Sequence, residues 1–365
     1  MVKIDFFVGR KTKESFGINR YRLKQFESLK NVDKKIIGYD VNNKFLQKLY
    51  PFIELILNIY YTKKQRRKNS ILHLGVQGDA AMLNFVNLSP VIVNCLDLIP
   101  LAYPKDYGLY AKMKNYLSFR GLKKADYIIA LSEFTKKDMV ERLNISENKI
   151  SVAYAGADFT HFKVLKESRD KMLSLFNLDP KYRYIGYIGN EEKRMNLFNQ
   201  LRAFKKIKNK YKNIKFIKAG KPNTVAAREE LKNFIKVEGI TNDVIFLDYI
   251  DEKYLPSFYN TIDILMYPIT YAGFGLPPLE AMACGCPVIT SNLTSLPEVV
   301  ENAAIIVNPY DVNEMAESIE KLLSNKKLRK RIINAGLIQC RKFTWERCEK
   351  ETRESYNKFI RASTS

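Results

Sequence analysis

Between Tyr271 and Glu298 the chain reads Tyr-Ala-Gly-Phe-Gly-Leu-Pro-Pro-Leu-Glu-Ala-Met-Ala-Cys-Gly-Cys-Pro-Val-Ile-Thr-Ser-Asn-Leu-Thr-Ser-Leu-Pro-Glu. An apolar, β-branched run, Ile262 to Tyr267, precedes it as a buried strand, and a second run, Pro287 to Thr290, follows as another. Two such strands about 20 residues apart need a crossover connection. Pro277 and Pro278 fit only a helix's first turn, where a missing N–H leaves no bond broken, so the helix starts there and ends at Gly285. Upstream, Gly273 and Gly275 let the main chain approach a ligand closely, and the N–H groups of the helix start suit an anion such as a phosphate. Glu280 lies one turn further in. A carboxylate there repels phosphate, so its expected partner is a pair of hydroxyls, as on a nucleotide ribose. An ordinary βαβ unit with a Gly-Pro loop is the plainer alternative.

The stretch closely resembles the donor-site signature of GT-B glycosyltransferases of family 4, usually Glu-Gly-Phe-Gly-Leu-Pro-Pro-Leu-Glu-Ala-Met-Ala-x-Gly-x-Pro-Val-Ile. Ala272 stands at the signature's first glutamate. With Pro at 278 the segment is not the Gly-x-Gly-x-x-Gly dinucleotide fingerprint. The resemblance implies a retaining enzyme that transfers a sugar from a nucleotide diphosphate to a glycan or a lipid-linked phosphate acceptor. It implies neither a metal nor a separate cofactor, since the donor is a substrate. Phe274 and Leu276 join Gly273, Gly275 and Glu280 in the implied donor site.

Composition sets the outer limits. With 365 residues, 46% of them hydrophobic, the chain can bury two sizeable cores. Its longest apolar runs are short and interrupted, so no segment is expected to span a bilayer. The first residues read as a strand without a cleavable signal's long apolar core, which points to the cytoplasm. Five scattered cysteines at Cys95, Cys284, Cys286, Cys340 and Cys348 lack ligand spacing and read as buried small residues. A net charge of +22 draws the protein toward anionic lipid, lipid-linked phosphate or nucleic acid. No recognition motif for nucleic acid accompanies the charge.

Along the chain, strand Lys3 to Val8 leads through Phe16-Gly17-Ile18-Asn19-Arg20-Tyr21 into a helix, Tyr21 to Leu29. This resembles the family's first glycine loop, which faces the donor and places Gly17 there; a plain helix cap is an equal reading. Lys63-Lys64-Gln65-Arg66-Arg67-Lys68 reads as a solvated basic loop before strand Ile71 to Leu74. Strand Val91 to Cys95 runs into Leu96-Asp97-Leu98-Ile99-Pro100, similar to the family's His-Asp-Leu-Ile-Pro, so Asp97 is a catalytic-site candidate while Leu96 replaces the histidine. His73 and His161 match no family position and read as structural. From Tyr110 to Lys124, Met113, Tyr116, Leu117 and Phe119 alternate with basic residues at helical period. Such a helix could lie on an anionic membrane or face the core.

Lys163 to Tyr182 is charged, contains Pro180 and reads as a linker. Strand Tyr184 to Ile188 then enters Gly189-Asn190-Glu191-Glu192-Lys193-Arg194-Met195-Asn196, similar to the family's Gly-Asn-x-x-x-Arg-Lys-Asn. There Asn190 belongs to the donor site, and the cations neutralise the leaving diphosphate. Arg194 matches, Met195 replaces the lysine, and Lys193 is a candidate substitute. Strands Ile214 to Lys218 and Val244 to Leu247 end near Gly220 and Ile250, which resemble the nucleobase loops. Phe343-Thr344-Trp345-Glu346 opens a closing helix capped by Thr344. The expected fold is α/β of GT-B type: two Rossmann-like domains facing a cleft, with the C-terminal helix crossing back. The expected domains are 1–170 on the acceptor side, 171–343 for the donor, and 344–365 for the returning helix. A catalytically silent GT-B partner or sugar-nucleotide sensor is the rival reading, because Leu96, Met195 and Ala272 remove three side chains that normally surround the sugar.

Overall fold

The computed structural model describes residues 2–10, 18–41, 44–167 and 169–364. The chain divides into two compact units, Met1–Gly156 with Thr344–Ser365, and Ala157–Phe343. Each unit is built on a parallel six-stranded sheet. Short β-branched runs buried on both faces are what such sheets require, because helices cover them on either side.

In the first unit the strands are β1 (Lys3–Arg10), β2 (Asp33–Tyr39), β3 (Ile71–Leu74), β4 (Val91–Cys95), β5 (Tyr127–Ala130) and β6 (Ile150–Val152). Their order is β2-β1-β3-β4-β5-β6, so the winding reverses between β1 and β3. Phe7, Leu72, Leu74, Val93 and Ile128 fill one face, and Ile4, Phe6, Ile92 and Ile129 the other.

The second unit has β7 (Arg183–Ile188), β8 (Ile214–Ala219), β9 (Val244–Leu247), β10 (Ile264–Tyr267), β11 (Val288–Ser291) and β12 (Ile305–Val307). In the order β12-β11-β10-β7-β8-β9 the reversal falls between β7 and β10. Ligands of open α/β sheets bind outside the strands' carboxyl ends at such reversals.

The closing helix, Trp345–Thr364, packs within the first unit. Thr344 Oγ1 accepts from Arg347 N at 3.1 Å, the cap that starts it. Gln25 donates to Thr352 Oγ1 at 3.1 Å, Ser151 to Ser355 at 2.6 Å, and His73 Nδ1 meets the Tyr356 hydroxyl at 2.6 Å. His73 is therefore structural: its Nε2 lies 2.9 Å from Asn94 Oδ1, and complete burial pushes its pKa down to about 4. His161 Nε2 lies 3.0 Å from the Glu252 carbonyl, within the second unit.

Two local expectations change. The segment 163–182 is not simply a linker, because Arg169–Ser174 forms a helix whose Met172 and Leu173 are buried. Nor is 63–68 a solvated loop throughout. Lys63 and Lys64 end the helix Lys44–Gln65, while Arg67 pairs with Asp5 at 2.7 Å and Asp33 at 2.6 Å. Arg66 donates to the carbonyls of Leu88, Ser70 and Pro90. Five donors on a planar fork let an arginine bond several carbonyls near the strand ends at once, so local charge density hid a structural role.

Candidate functional site

The helix that follows β10 spans Leu276–Ala283, preceded by Gly275 at φ +130°, a backbone state that L side chains rarely adopt. A Cβ at 275 would also lie 2.9 Å from Leu296 Cδ2. The loop before it is held in shape: the single hydroxyl proton of Ser295, fully buried, is shared between the carbonyls of Ala272 at 2.9 Å and Phe274 at 2.6 Å, and Ala272 N donates to Thr294 Oγ1. Phe274 packs edge-on against Phe343. Since Pro277 and Pro278 carry no N–H, the donors that this helix start can offer an anion narrow to Gly275 and Leu276, beside those of the Gly273–Phe274 loop.

Glu280 is buried, 6% exposed, and accepts from the Tyr259 hydroxyl at 2.9 Å. Burial first, and then the nearby Glu280 charge, push the Tyr259 hydroxyl well above its usual pKa, so it stays a proton donor to the carboxylate.

The loop after β7 meets this one directly. Arg194 donates to the Tyr271 carbonyl at 3.2 Å and pairs with Glu192 at 2.7 Å, while its own carbonyl accepts from Thr270 N at 2.8 Å. The structure thus brings Arg194 and the 271–280 segment together at the sheet's reversal point. Lys193 is exposed on the same turn, and Met195 is buried. Asn190 shapes the turn: its carbonyl accepts from the Tyr187 hydroxyl and its side chain from Glu192 N. Gly220, at φ +102°, runs against this loop; a Cβ there would sit 2.5 Å from the Gly189 carbonyl oxygen. Ile250 is half-buried beyond β9.

Four charged residues to which the sequence pattern assigns no role lock these loops. Lys218, 1% exposed, donates to the Gly220 carbonyl at 2.6 Å and pairs with Glu191 at 2.9 Å. Arg228 pairs with Glu191 and with Asp248, both at 2.6 Å. Burial pushes the Lys218 ammonium down while Glu191 raises it, and Arg228 holds Asp248 below the usual carboxylate range. A lysine inside the apolar run of β8 was the available signal, since a charge is buried there only with a partner.

Asp97 and Leu96 lie in the first unit, after β4. Asp97 Oδ1 accepts from Ile99 N at 3.1 Å, and Leu96 is buried. Gly17 falls outside the described residues. The helix expected over 110–124 spans Leu109–Leu122; Phe119 and Leu122 are buried, but Leu109, Tyr110, Met113 and Tyr116 are exposed by 86, 46, 55 and 62%. All five cysteines are buried free thiols. Among the described residues no helix is long and apolar enough to cross a membrane.

Solved structures share the fold. Anabaena HepE in complex with UDP and glucose has a TM-score of 0.78 at 16% identity, covering 98% of this chain and 100% of its own. Sucrose-phosphate synthase from Thermosynechococcus elongatus scores 0.77 at 18% identity, over 99% of this chain and 100% of its own. Two wound parallel sheets with these neighbours define a GT-B protein. Residues 168–338 match the family described as glycosyl transferases group 1. O-antigen chain mannosyltransferase B of Escherichia coli is 29% identical over 260 residues, 70% of this chain and 66% of that protein. Serotype-specific mannosyltransferase WbdA of Escherichia coli is 26% identical over 279 residues, 74% of this chain but only 33% of its own length. The chain therefore spans less than two thirds of these relatives.

Proposed function

We propose that the chain is a retaining glycosyltransferase that moves a hexose, mannose by the names of its relatives, from a nucleotide diphosphate to a growing glycan. The observation that carries this reading is the junction of Arg194 with the 271–280 segment at the β7/β10 reversal, with the buried Glu280 carboxylate behind it. In this reading Gly273, Phe274, Gly275 and Leu276 cradle the diphosphate, Glu280 accepts from the ribose hydroxyls, and Asn190, Gly220 and Ile250 border the base. For Gly17 and Asp97, which belong to the first unit, the reading keeps the roles that the family resemblance implies. Arg194, aided by Lys193, stabilises the charge that develops on the leaving diphosphate. Such a site works by positioning and neutralising rather than by a protein nucleophile.

Leu96, Met195 and Ala272 are all buried, exposed by 6, 6 and 7%, and they favour a second reading as a silent partner or sensor. One lost preorganised contact costs on the order of 3 kcal/mol, so three are serious unless replaced. Incubation of the protein with GDP-mannose and with UDP-glucose, without acceptor, separates the two. Slow release of the nucleoside diphosphate supports the enzyme. Tight nucleotide binding with no release of sugar, even with acceptor added, supports the silent partner.

The exposed apolar ridge of 109–122, set among Lys112, Lys123 and Lys124, suits contact with the anionic face of a cytoplasmic membrane, where a lipid-linked acceptor resides. Co-sedimentation with phosphatidylglycerol vesicles, lost in Tyr116→Ser, is expected. Equal sedimentation of the variant would remove the membrane from this reading.

A further inference from the structure

The first unit holds a cavity of about 600 Å³, of the size that takes a small ligand. It lies at the reversal between β1 and β3, where Val76, Gly78 and Asp79 follow β3 and Arg22 comes from the helix after β1. Leu55, Tyr110, Met113 and Leu117 supply apolar wall.

Its polar end is unusual. Asp79 and Arg22 have side chains only 9 and 10% exposed, and Asp79 Oδ2 lies 3.5 Å from Arg22 Nη1. At that distance and direction no hydrogen bond forms: Asp79 Oδ2 and Arg22 Nε are both buried without a hydrogen-bond partner, while Arg22 Nη1 donates to the Val8 carbonyl at 2.9 Å. A buried carboxylate oxygen left unsatisfied costs stability. Folding retains it at a cavity wall, where a ligand can supply the missing donor.

The charges around the cavity choose the ligand's class. Arg22 and Lys114 face Asp79 and Glu54, and Lys114 already pairs with Glu54 at 2.5 Å. Two cations balance two anions, so a phosphate gains little here. A neutral polyhydroxyl ring gains more, because its O–H groups donate to Asp79 while its C–H faces pack on Tyr110 and Met113.

We propose that this cavity takes the terminal sugar of the glycan acceptor, with Asp79 as the residue that reads its hydroxyls. The inference rests on the transferase reading above and names the acceptor end of it. Burial, opposed by Arg22, raised by Glu54 and lowered by Lys114, lifts the Asp79 pKa to about 6, so the carboxylate is ionised at neutral pH and lost below it.

Calorimetry with α-mannotriose and with maltotriose, in the absence of nucleotide, tests this on the full chain. One of the two probes is expected to bind, with affinity falling as pH drops from 7 to 5. Asp79→Asn should weaken binding at least tenfold and flatten that pH dependence. Gly78→Leu should abolish binding by filling the space, since a Cβ at 78 meets only Val76 Cγ2, at 3.9 Å, within 4 Å. Melting curves and GDP binding, which report the fold and the second unit, should stay near wild type in Gly78→Leu. Unchanged trisaccharide affinity in both variants, or no binding of either probe to the wild type, overturns the proposal. In that event intact GDP binding and donor hydrolysis would leave the transferase reading standing.

Discussion

At the scale of the residue, Glu280 and Arg194 define two separable contributions to the proposed donor site. Glu280→Ala is expected to weaken nucleoside diphosphate binding by about 2 kcal/mol, because hydrogen bonds to a charged acceptor are the stronger kind. Tyr259→Phe should cost less, since Tyr259 orients the carboxylate through one 2.9 Å bond and reaches no ligand in this reading. Calorimetry on both variants checks the order, and a larger effect from Tyr259 would reverse the assignment. Arg194 is held on two sides by Glu192 and the Tyr271 carbonyl, whereas Lys193 is exposed. A fixed planar fork can grip two phosphate oxygens, so Arg194→Ala should lower turnover by roughly a hundredfold or more and Lys193→Ala by far less. Met195→Lys restores a charge where negative charge develops and should raise turnover. A slower variant would mean that the pocket is built around the buried methionine.

At the scale of the element, the helix Leu109–Leu122 shows how packing overrides propensity. It seats on the 3₁₀ helix Gln77–Asn84 through Gly121, where a Cβ would approach the Ala80 carbonyl oxygen to 1.9 Å. Alanine is the better helix former by roughly 1 kcal/mol. Nevertheless Gly121→Ala should destabilise the protein by about 2 kcal/mol or more, because the two elements must move apart. Gly108→Ala, where nothing lies within 4 Å, should be nearly neutral. Chemical denaturation of the pair gives the answer, and equal midpoints would show that the helix yields cheaply. The same seating explains why the helical period of 110–124 was legible while its role was not. Phe119 and Leu122 turn inward at one end as a core helix does, but the apolar residues of the other end face outward.

At the scale of the whole molecule, two buried groups of the first unit set opposing pH dependences. His73 falls from 6.5 in the unfolded chain to about 4 in the fold, so between those values the unfolded state binds the extra proton and stability rises with pH. Asp79 climbs from 3.8 to about 6, so there the folded state binds the extra proton and stability falls as pH rises. From pH 4 to 6 the two slopes nearly cancel. His73→Gln should therefore lower the slope of stability against pH, relative to wild type, by about 1.4 kcal/mol per unit, and Asp79→Asn should raise it by as much. Urea melts at pH 4, 5 and 6 measure both, and parallel curves for all three proteins would contradict the assignment.

Strands β1, β3, β4 and β7 to β11, and the helix that opens at Leu276, were legible in local chemistry, whereas β2, β5 and β6 were not. Short apolar runs cannot stay in water, and two prolines after Gly275 admit one placement. Strands β3, β4 and β9 fall at the residues expected, and so does the Thr344 cap. What only the tertiary structure decided involves partners distant in sequence. Lys218, Arg228, Glu191 and Asp248 look like unrelated surface charges until three strand ends converge. Arg67 becomes a fastener only once β1 and β2 lie beside it. The Asp79 and Arg22 pair exists because β1 and β3 are neighbours, a pairing that skips over β2 and the helices on either side of it and that no local period encodes. Short-range pattern fixes which segments form elements, because backbone sterics and side-chain periodicity act within a few residues. Which buried charges meet depends on how those elements are ordered in space.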